Sequence, residues 1–201
     1  FEPQGISDET LIDFTPELRA EALEIIEGYD YGPMYTPPSR KGMIMLPGYS
    51  GGASWSGAAV DPETATLYVP SFTLPHFIRL REPDPEESDF RYIRDRSFTL
   101  TGPRGLPLTK PPYARITAIN MNTGEHLWQV PHGEGIRQRL IDMGIEDPGP
   151  VGSGSRNGPL LTRSLLFLGQ LDGARPVFRS FDKRTGEVVS EMQLPLPPMG
   201  T

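Results

Sequence analysis

Asp61-Pro62-Glu63-Thr64-Ala65, Asn120-Met121-Asn122-Thr123-Gly124 and Asp182-Lys183-Arg184-Thr185-Gly186 are three variants of one corner. An acidic or amide residue leads, a threonine follows three positions later, and glycine closes two of the three. The leading side chain accepts backbone N–H bonds two residues on, threonine does so more weakly, and glycine supplies the left-handed conformation that lets a second strand leave in register. Apolar residues flank each copy: Ala59 and Val60, Ala118 and Ile119, and Phe181 come before, and Leu67, Leu127 and Val189 come after. The corners start 59 and 62 residues apart. Such recurrence reads as a repeated sheet unit, a β-propeller or similar radial array.

On either side of the corners, short apolar runs bounded by Gly and Pro mark strands at Met43–Leu46, Ala58–Val60, Thr66–Val69, Ile116–Ile119, His126–Val130, Leu165–Leu168, Val177–Phe181 and Val188–Met192. A helix is expected over Thr15–Ile26, where Thr15 caps, Pro16 takes the first helical position and Gly28 follows as a stop. Tyr31–Ser39 holds Pro33, Pro37 and Pro38 and reads as extended linker. The period exceeds the usual figure of about 40 to 50 residues per blade. The excess lies in two inserts, Pro75–Tyr113 and Pro131–Ser155, the second with a short helix at Ile136–Met143 ended by Gly144. The expected organisation is a helical and Pro-rich insert over 1–40, blade strands over 41–74, an insert loop over 75–113, blade strands over 114–130, an insert with a short helix over 131–155, and blade strands over 156–201.

Composition narrows the function classes. Pro and Gly number 23 and 22 of 201 residues, about twice the usual share, so turns are frequent. Hydrophobic residues at 36% and charged residues at 22% are ordinary globular usage and permit a core. A net charge of −7 gives no footprint for a nucleic-acid backbone and no basic face for anionic lipid. Zero cysteines exclude disulfides, thiolate zinc sites and cysteine nucleophiles. His76, His126 and His132 are expected to lie at the surface or half-buried, and no pair has ligand spacing. Asp84, Glu86, Glu87 and Asp89 lack the glycine-centred spacing of a calcium loop. They lie among Arg79, Arg81, Arg91, Arg94 and Arg96, so the insert reads as self-neutralising solvated charge.

Taken as an ordered set, these residues resemble the pyrroloquinoline quinone (PQQ) dependent dehydrogenases, specifically the membrane glucose dehydrogenase and related sugar or polyol branch. The family's tryptophan docking motif, Ala-x-Asp-x-x-Thr-Gly-x-x-x-Trp, is matched by Ala118, Asn120, Thr123, Gly124 and Trp128, with Asn for Asp. A weaker copy has Ser180, Asp182, Thr185 and Gly186, then Ser190 where Trp belongs. Gly51, Gly52 and Trp55 ahead of Asp61-Pro62-Glu63-Thr64 also match, as do Gly105-Leu106-Pro107 and Lys110-Pro111-Pro112-Tyr113. Asp13-Phe14-Thr15-Pro16-Glu17-Leu18 and Tyr35-Thr36-Pro37-Pro38-Ser39 look like the family's insert before these strands.

The resemblance implies an all-β fold: a fragment, about three blades, of an eight-bladed β-propeller with helical inserts. It implies PQQ as cofactor, with Ca2+ whose ligands are expected outside this chain, together with the catalytic base and the basic quinone contact. It therefore implies no catalytic and no metal-binding residue here, and an inactive isolated fragment whose open sheets lack the remaining propeller blades of the same protein. In the intact family enzyme a sugar or alcohol substrate gives a proton to a base and hydride to the quinone, and ubiquinone or cytochrome c takes the electrons. The location implied is periplasmic, with a possible tether to the inner membrane outside this chain. Cofactor-binding candidates are Ser54 and Trp55, since relatives read Gly-Gly-x-Asn-Trp where this chain has Gly51-Gly52-Ala53-Ser54-Trp55; Trp55 reads equally as a core aromatic packed between blades. Ser155 and Asn157, on the approach to the strand at Leu160–Thr162, are the second pair. Trp128 is expected to wedge between blades with its indole N–H satisfied by backbone. The competing reading is a non-catalytic propeller-like binding or assembly protein that kept the corners and lost the cofactor.

Overall fold

The structure is a computed structural model that describes residues 1–53, 55–95, 100–154 and 156–198. In chain order its elements are helix α1 (Pro16–Glu27), then strands β1 (Met43–Met45), β2 (Ala59–Asp61), β3 (Thr66–Phe72), β4 (His76–Ile78), β5 (Leu80–Arg81) and β6 (Ile93–Arg94). β7 (Ala114–Asn120), β8 (His126–Pro131), α2 (Arg137–Asp142), β9 (Leu160–Leu161), β10 (Leu165–Asp172), β11 (Arg175–Asp182) and β12 (Val188–Gln193) follow. The chain divides into two compact units, one of Phe1–Glu2, Gly52–Thr73 and Pro111–Thr201, the other of Pro3–Gly51 and Leu74–Lys110.

The first unit contains two four-stranded antiparallel sheets, ordered β2-β3-β7-β8 and β9-β10-β11-β12. The corners behave as their residue types dictate. Asp61, Asn120 and Asp182 each accept the amide two residues on, from Glu63, Asn122 and Arg184, at 3.1, 2.9 and 2.8 Å. Gly124 and Gly186 both sit at φ 76°. The equal spacing has a different origin from the one expected. Corners 61–65 and 120–124 lie in the same sheet, joining β2 to β3 and β7 to β8, while β3 pairs directly with β7 from Thr66↔Asn120 to Phe72↔Ala114. Only the corner at 182–186 belongs to the second sheet. The three corners thus mark two sheets, because a four-residue hydrogen-bonded turn carries no information about which hairpin of a blade it closes.

Between the sheets lies a core of Tyr68, Ile116 and Ala118 from the first and Leu166, Leu168 and Phe181 from the second. Trp128 packs against it and donates its indole N–H to the Lys183 carbonyl at 3.1 Å. It therefore bonds the corner of the following sheet, as the docking motif implies. In the second sheet Ser180 and Ser190 occupy the register positions of Ala118 and Trp128, and their hydroxyls bond one another at 2.7 Å. The half-buried Lys183 ammonium reaches back to the Asp61 carboxylate.

Gly124 and Gly186 share a backbone conformation and differ in surroundings. A Cβ on Gly124 meets nothing within 4 Å, whereas one on Gly186 lies 2.7 Å from the Trp128 ring. Gly124→Ala is expected to cost about 1 kcal/mol of left-handed strain, a conformation Ala65 already adopts at φ 50°. Gly186→Ala is expected to cost at least twice that, since it displaces the wedge. Urea midpoints of the two variants provide the comparison.

In the second unit α1 buries Leu18, Ala22 and Ile26, with Thr15 capping the Leu18 amide at 3.2 Å. β1 pairs β4, and β5 pairs β6. Met43–Met45, expected among blade strands, thus joins a two-stranded ribbon with a segment read as insert loop. The insert's charges neutralise one another as expected: Arg79 binds Asp95 at 2.6 Å and Arg81 binds Glu87 at 2.5 Å. Arg91 and Arg94 lie over the rings of Tyr92 and Tyr49. Arg96 lies outside the described residues.

Candidate functional site

The two segments singled out as cofactor-binding lead into β2 and β9, which lie against each other. The Ser56 hydroxyl donates to the backbone carbonyl of Arg156 and ties the segments together. Trp55 is 89% exposed, which leaves a large aromatic face open to contact. Arg156, beside the tie, is also exposed. Ser54 and Ser155 lie outside the described residues. Asn157 differs from what was expected of a cofactor contact: it is 5% exposed, and its amide nitrogen donates to the Gly169 carbonyl at 2.8 Å. Its role in the geometry is to fasten the Arg156 segment to β10.

Behind this rim lie two buried polar clusters that sequence reading missed. In the first, the Glu2 carboxylate, 4% exposed, accepts the Ser71 hydroxyl at 2.6 Å and the Thr73 hydroxyl at 2.7 Å, with the Arg115 guanidinium 3.5 Å away. Burial pulls the Arg115 pKa below its ordinary value, and the Glu2 charge opposes the shift. In the second cluster Arg179 binds Gln170 and Asp172, each at 2.7 Å, while Gln170 donates to the carbonyls of His132 and Ser153. Burial alone would raise the Asp172 carboxyl, but the Arg179 guanidinium and the amides of Gly135 and Glu134 outweigh it and hold the group below the usual carboxylate range. The signal for this second cluster was present in the sequence: Gln170 and Asp172 continue the face of Leu166 and Leu168, and Arg179 shares the face of Val177 and Phe181.

His132, expected at the surface or half-buried, is 2% exposed. Neither ring nitrogen has a hydrogen-bond partner, and Phe181 meets the ring edge-on at 5.7 Å. Burial, reinforced by the nearby Arg179 charge, pushes its pKa down to about 3, with Asp172 opposing. His132 is thus a neutral core residue at physiological pH. Pro131 and Gly133 flank it as turn formers, and nothing in that context distinguishes inward from outward. Among the described residues no group of three or more His, Asp or Glu is placed to hold a metal ion.

Against known families, residues 1–201 match the model described as PQQ, glucose/ethanol/alcohol dehydrogenase, β-propeller domain. The chain belongs to this family. Its two four-stranded sheets are blades of that propeller, and PQQ as cofactor stands with the family. Similar curated proteins include a quinate/shikimate dehydrogenase (quinone) of Acinetobacter baylyi, 26% identical over 85% of this chain and 23% of the relative. A glycerol dehydrogenase large subunit of Gluconobacter thailandicus is 29% identical over 80% of this chain and 25% of the relative. Quinoprotein glucose dehydrogenase A of Acinetobacter calcoaceticus is 25% identical over 83% and 22%. The chain therefore spans about a quarter of the length of the curated relatives it matches. Among solved structures, a europium-containing methanol dehydrogenase aligns at TM-score 0.48 and 19% identity, covering 75% of this chain and 22% of that one.

Within this PQQ family chain, the exposed Trp55 indole is the feature that fits the cofactor: a flat apolar face, held on a tied loop, suits a planar ring system. The exposed Arg156 guanidinium suits carboxylate substituents on such a ring.

Proposed function

We propose that this chain supplies two adjacent blades of a PQQ-dependent dehydrogenase that oxidises a hydroxyl group of a sugar or other alcohol. In this reading the electrons leave for ubiquinone or a cytochrome c. The family match over the whole chain carries the proposal. The relatives named above are dehydrogenases of quinate, glycerol and glucose, which are all polyhydroxylated. PQQ when bound supplies the two-electron acceptor, and the protein supplies binding and orientation.

This chain's residues then do specific things. Trp55 would help hold the cofactor, offering its exposed indole as an apolar contact that keeps water away. The Ser56 hydroxyl and the Arg156 carbonyl hold the two rim segments at a fixed separation. Asn157 fixes the Arg156 segment from below by its bond to Gly169. The base, the calcium ligands and a periplasmic location belong to the intact protein under the same proposal.

Calorimetric titration of PQQ into the intact protein, with calcium present, tests it. Saturable binding is expected, weakened about tenfold or more by Trp55→Ala, in line with the loss of one buried aromatic contact. Absence of any binding by the wild-type protein would leave the non-catalytic propeller as the better reading.

A further inference from the structure

We propose that Glu2 is a positioning residue that sets the segment presenting Trp55. The proposal rests on the cofactor-rim reading for its consequence, though not for its geometry. Glu2 lies far from Trp55 in sequence, yet its side chain forms the floor on which that segment rests. A Cβ on Gly52 would lie 2.6 Å from Glu2 Cγ and 3.1 Å from Glu2 Cβ, so the backbone at position 52 is in direct contact with the Glu2 stem. The same segment is stitched to β3: the Phe72 amide donates to the Gly52 carbonyl at 2.9 Å, and Ala53 bridges Ser71. Ser71 is shared between the two, since its hydroxyl donates to Glu2 while its backbone pairs with Ala53.

Chemically, the arrangement is over-determined for a space-filling residue. Both Glu2 oxygens are occupied by hydroxyl donors, Ser71 on one and Thr73 on the other, and the Arg115 guanidinium balances the charge. A carboxylate buried to this degree is retained only with such partners, and removing its charge leaves Arg115 uncompensated. The carboxylate therefore fixes Ser71, and Ser71 and Phe72 fix residues 52 and 53, on the segment that carries Trp55. Glycine at position 52 is required by the approach of the Glu2 stem.

The test uses the intact protein with Glu2→Gln, Ser71→Ala and Gly52→Ala, and two readouts. Amide exchange at Phe72 reports docking of the segment directly, with Leu168 in the second sheet as control. Calorimetric PQQ affinity reports the consequence. Each variant is expected to speed exchange at Phe72 by about tenfold with Leu168 unchanged, and to weaken PQQ by a similar factor. Unchanged exchange and unchanged affinity in Ser71→Ala and Gly52→Ala would overturn the proposal, even if Glu2→Gln fails to fold. Equal acceleration at Phe72 and Leu168 would also overturn it, since that is a general loss of stability. If the wild-type protein does not bind PQQ, the cofactor reading falls, and selective exchange at Phe72 alone decides whether Glu2 positions the segment.

Discussion

Trp128→Ala is expected to lower the unfolding free energy by about 3 kcal/mol, the low end for removing a large core aromatic. The indole spans both sheets: it packs on Tyr68 with ring centroids 5.8 Å apart, covers Gly186, and bonds the Lys183 carbonyl. Its loss opens a cavity between the sheets and leaves a backbone acceptor without its donor, so area and hydrogen-bond effects act in the same direction. Trp128→Phe keeps part of the packing and removes only the N–H, and is expected to cost about 1–2 kcal/mol. Urea unfolding checks both. A loss below 0.5 kcal/mol for the alanine variant would mean that the sheets are held together elsewhere.

The second large effect is in pH dependence and comes from His132. Its pKa is about 3 in the folded protein against an ordinary value of 6.5. Between those values the unfolded chain carries a proton that the folded chain does not. Unfolding therefore takes up a proton, and stability falls as pH drops from 6.5 towards 3. Above 6.5 both states are neutral and the residue contributes no slope; below 3 both are charged and the slope ends. Within the window the cost is up to about 1.4 kcal/mol per pH unit. Arg179 and Asp172 are the charged groups acting on the ring, and Phe181 packs against its edge.

His132→Leu removes this proton uptake. Relative to wild type, the variant is expected to gain about 2–3 kcal/mol on moving from pH 7 to pH 4.5. Unfolding curves at the two pH values provide the measurement. Parallel pH dependence in the two proteins would show that His132 is solvated or already paired when folded.

The buried polar clusters show why part of the site was unreadable before the structure. Trp55 was assigned to the rim by the family resemblance, whereas the tie between its segment and Arg156 is a feature of the folded chain alone. Asn157 was assigned to the same rim on the same basis, yet its amide faces inward to Gly169. A polar side chain on a loop carries no local mark of direction, because its partner is a carbonyl contributed by another strand. Glu2 is a stronger example. Its partners Ser71, Thr73 and Arg115 come from positions far along the chain, and no period or motif connects them.

By itself the sequence determined the elements built from neighbouring residues. The three Asx-x-x-Thr corners and the helix capped by Thr15 follow from hydrogen bonds within a few positions. Tertiary structure alone decided that two of those corners share a sheet, since β3 and β7 meet across the long connection 73–113. It also decided which polar groups lie inside. The physical reason is common to both: strand pairing and burial depend on which distant backbone or side chain arrives opposite, and that choice is made by the folded chain as a whole.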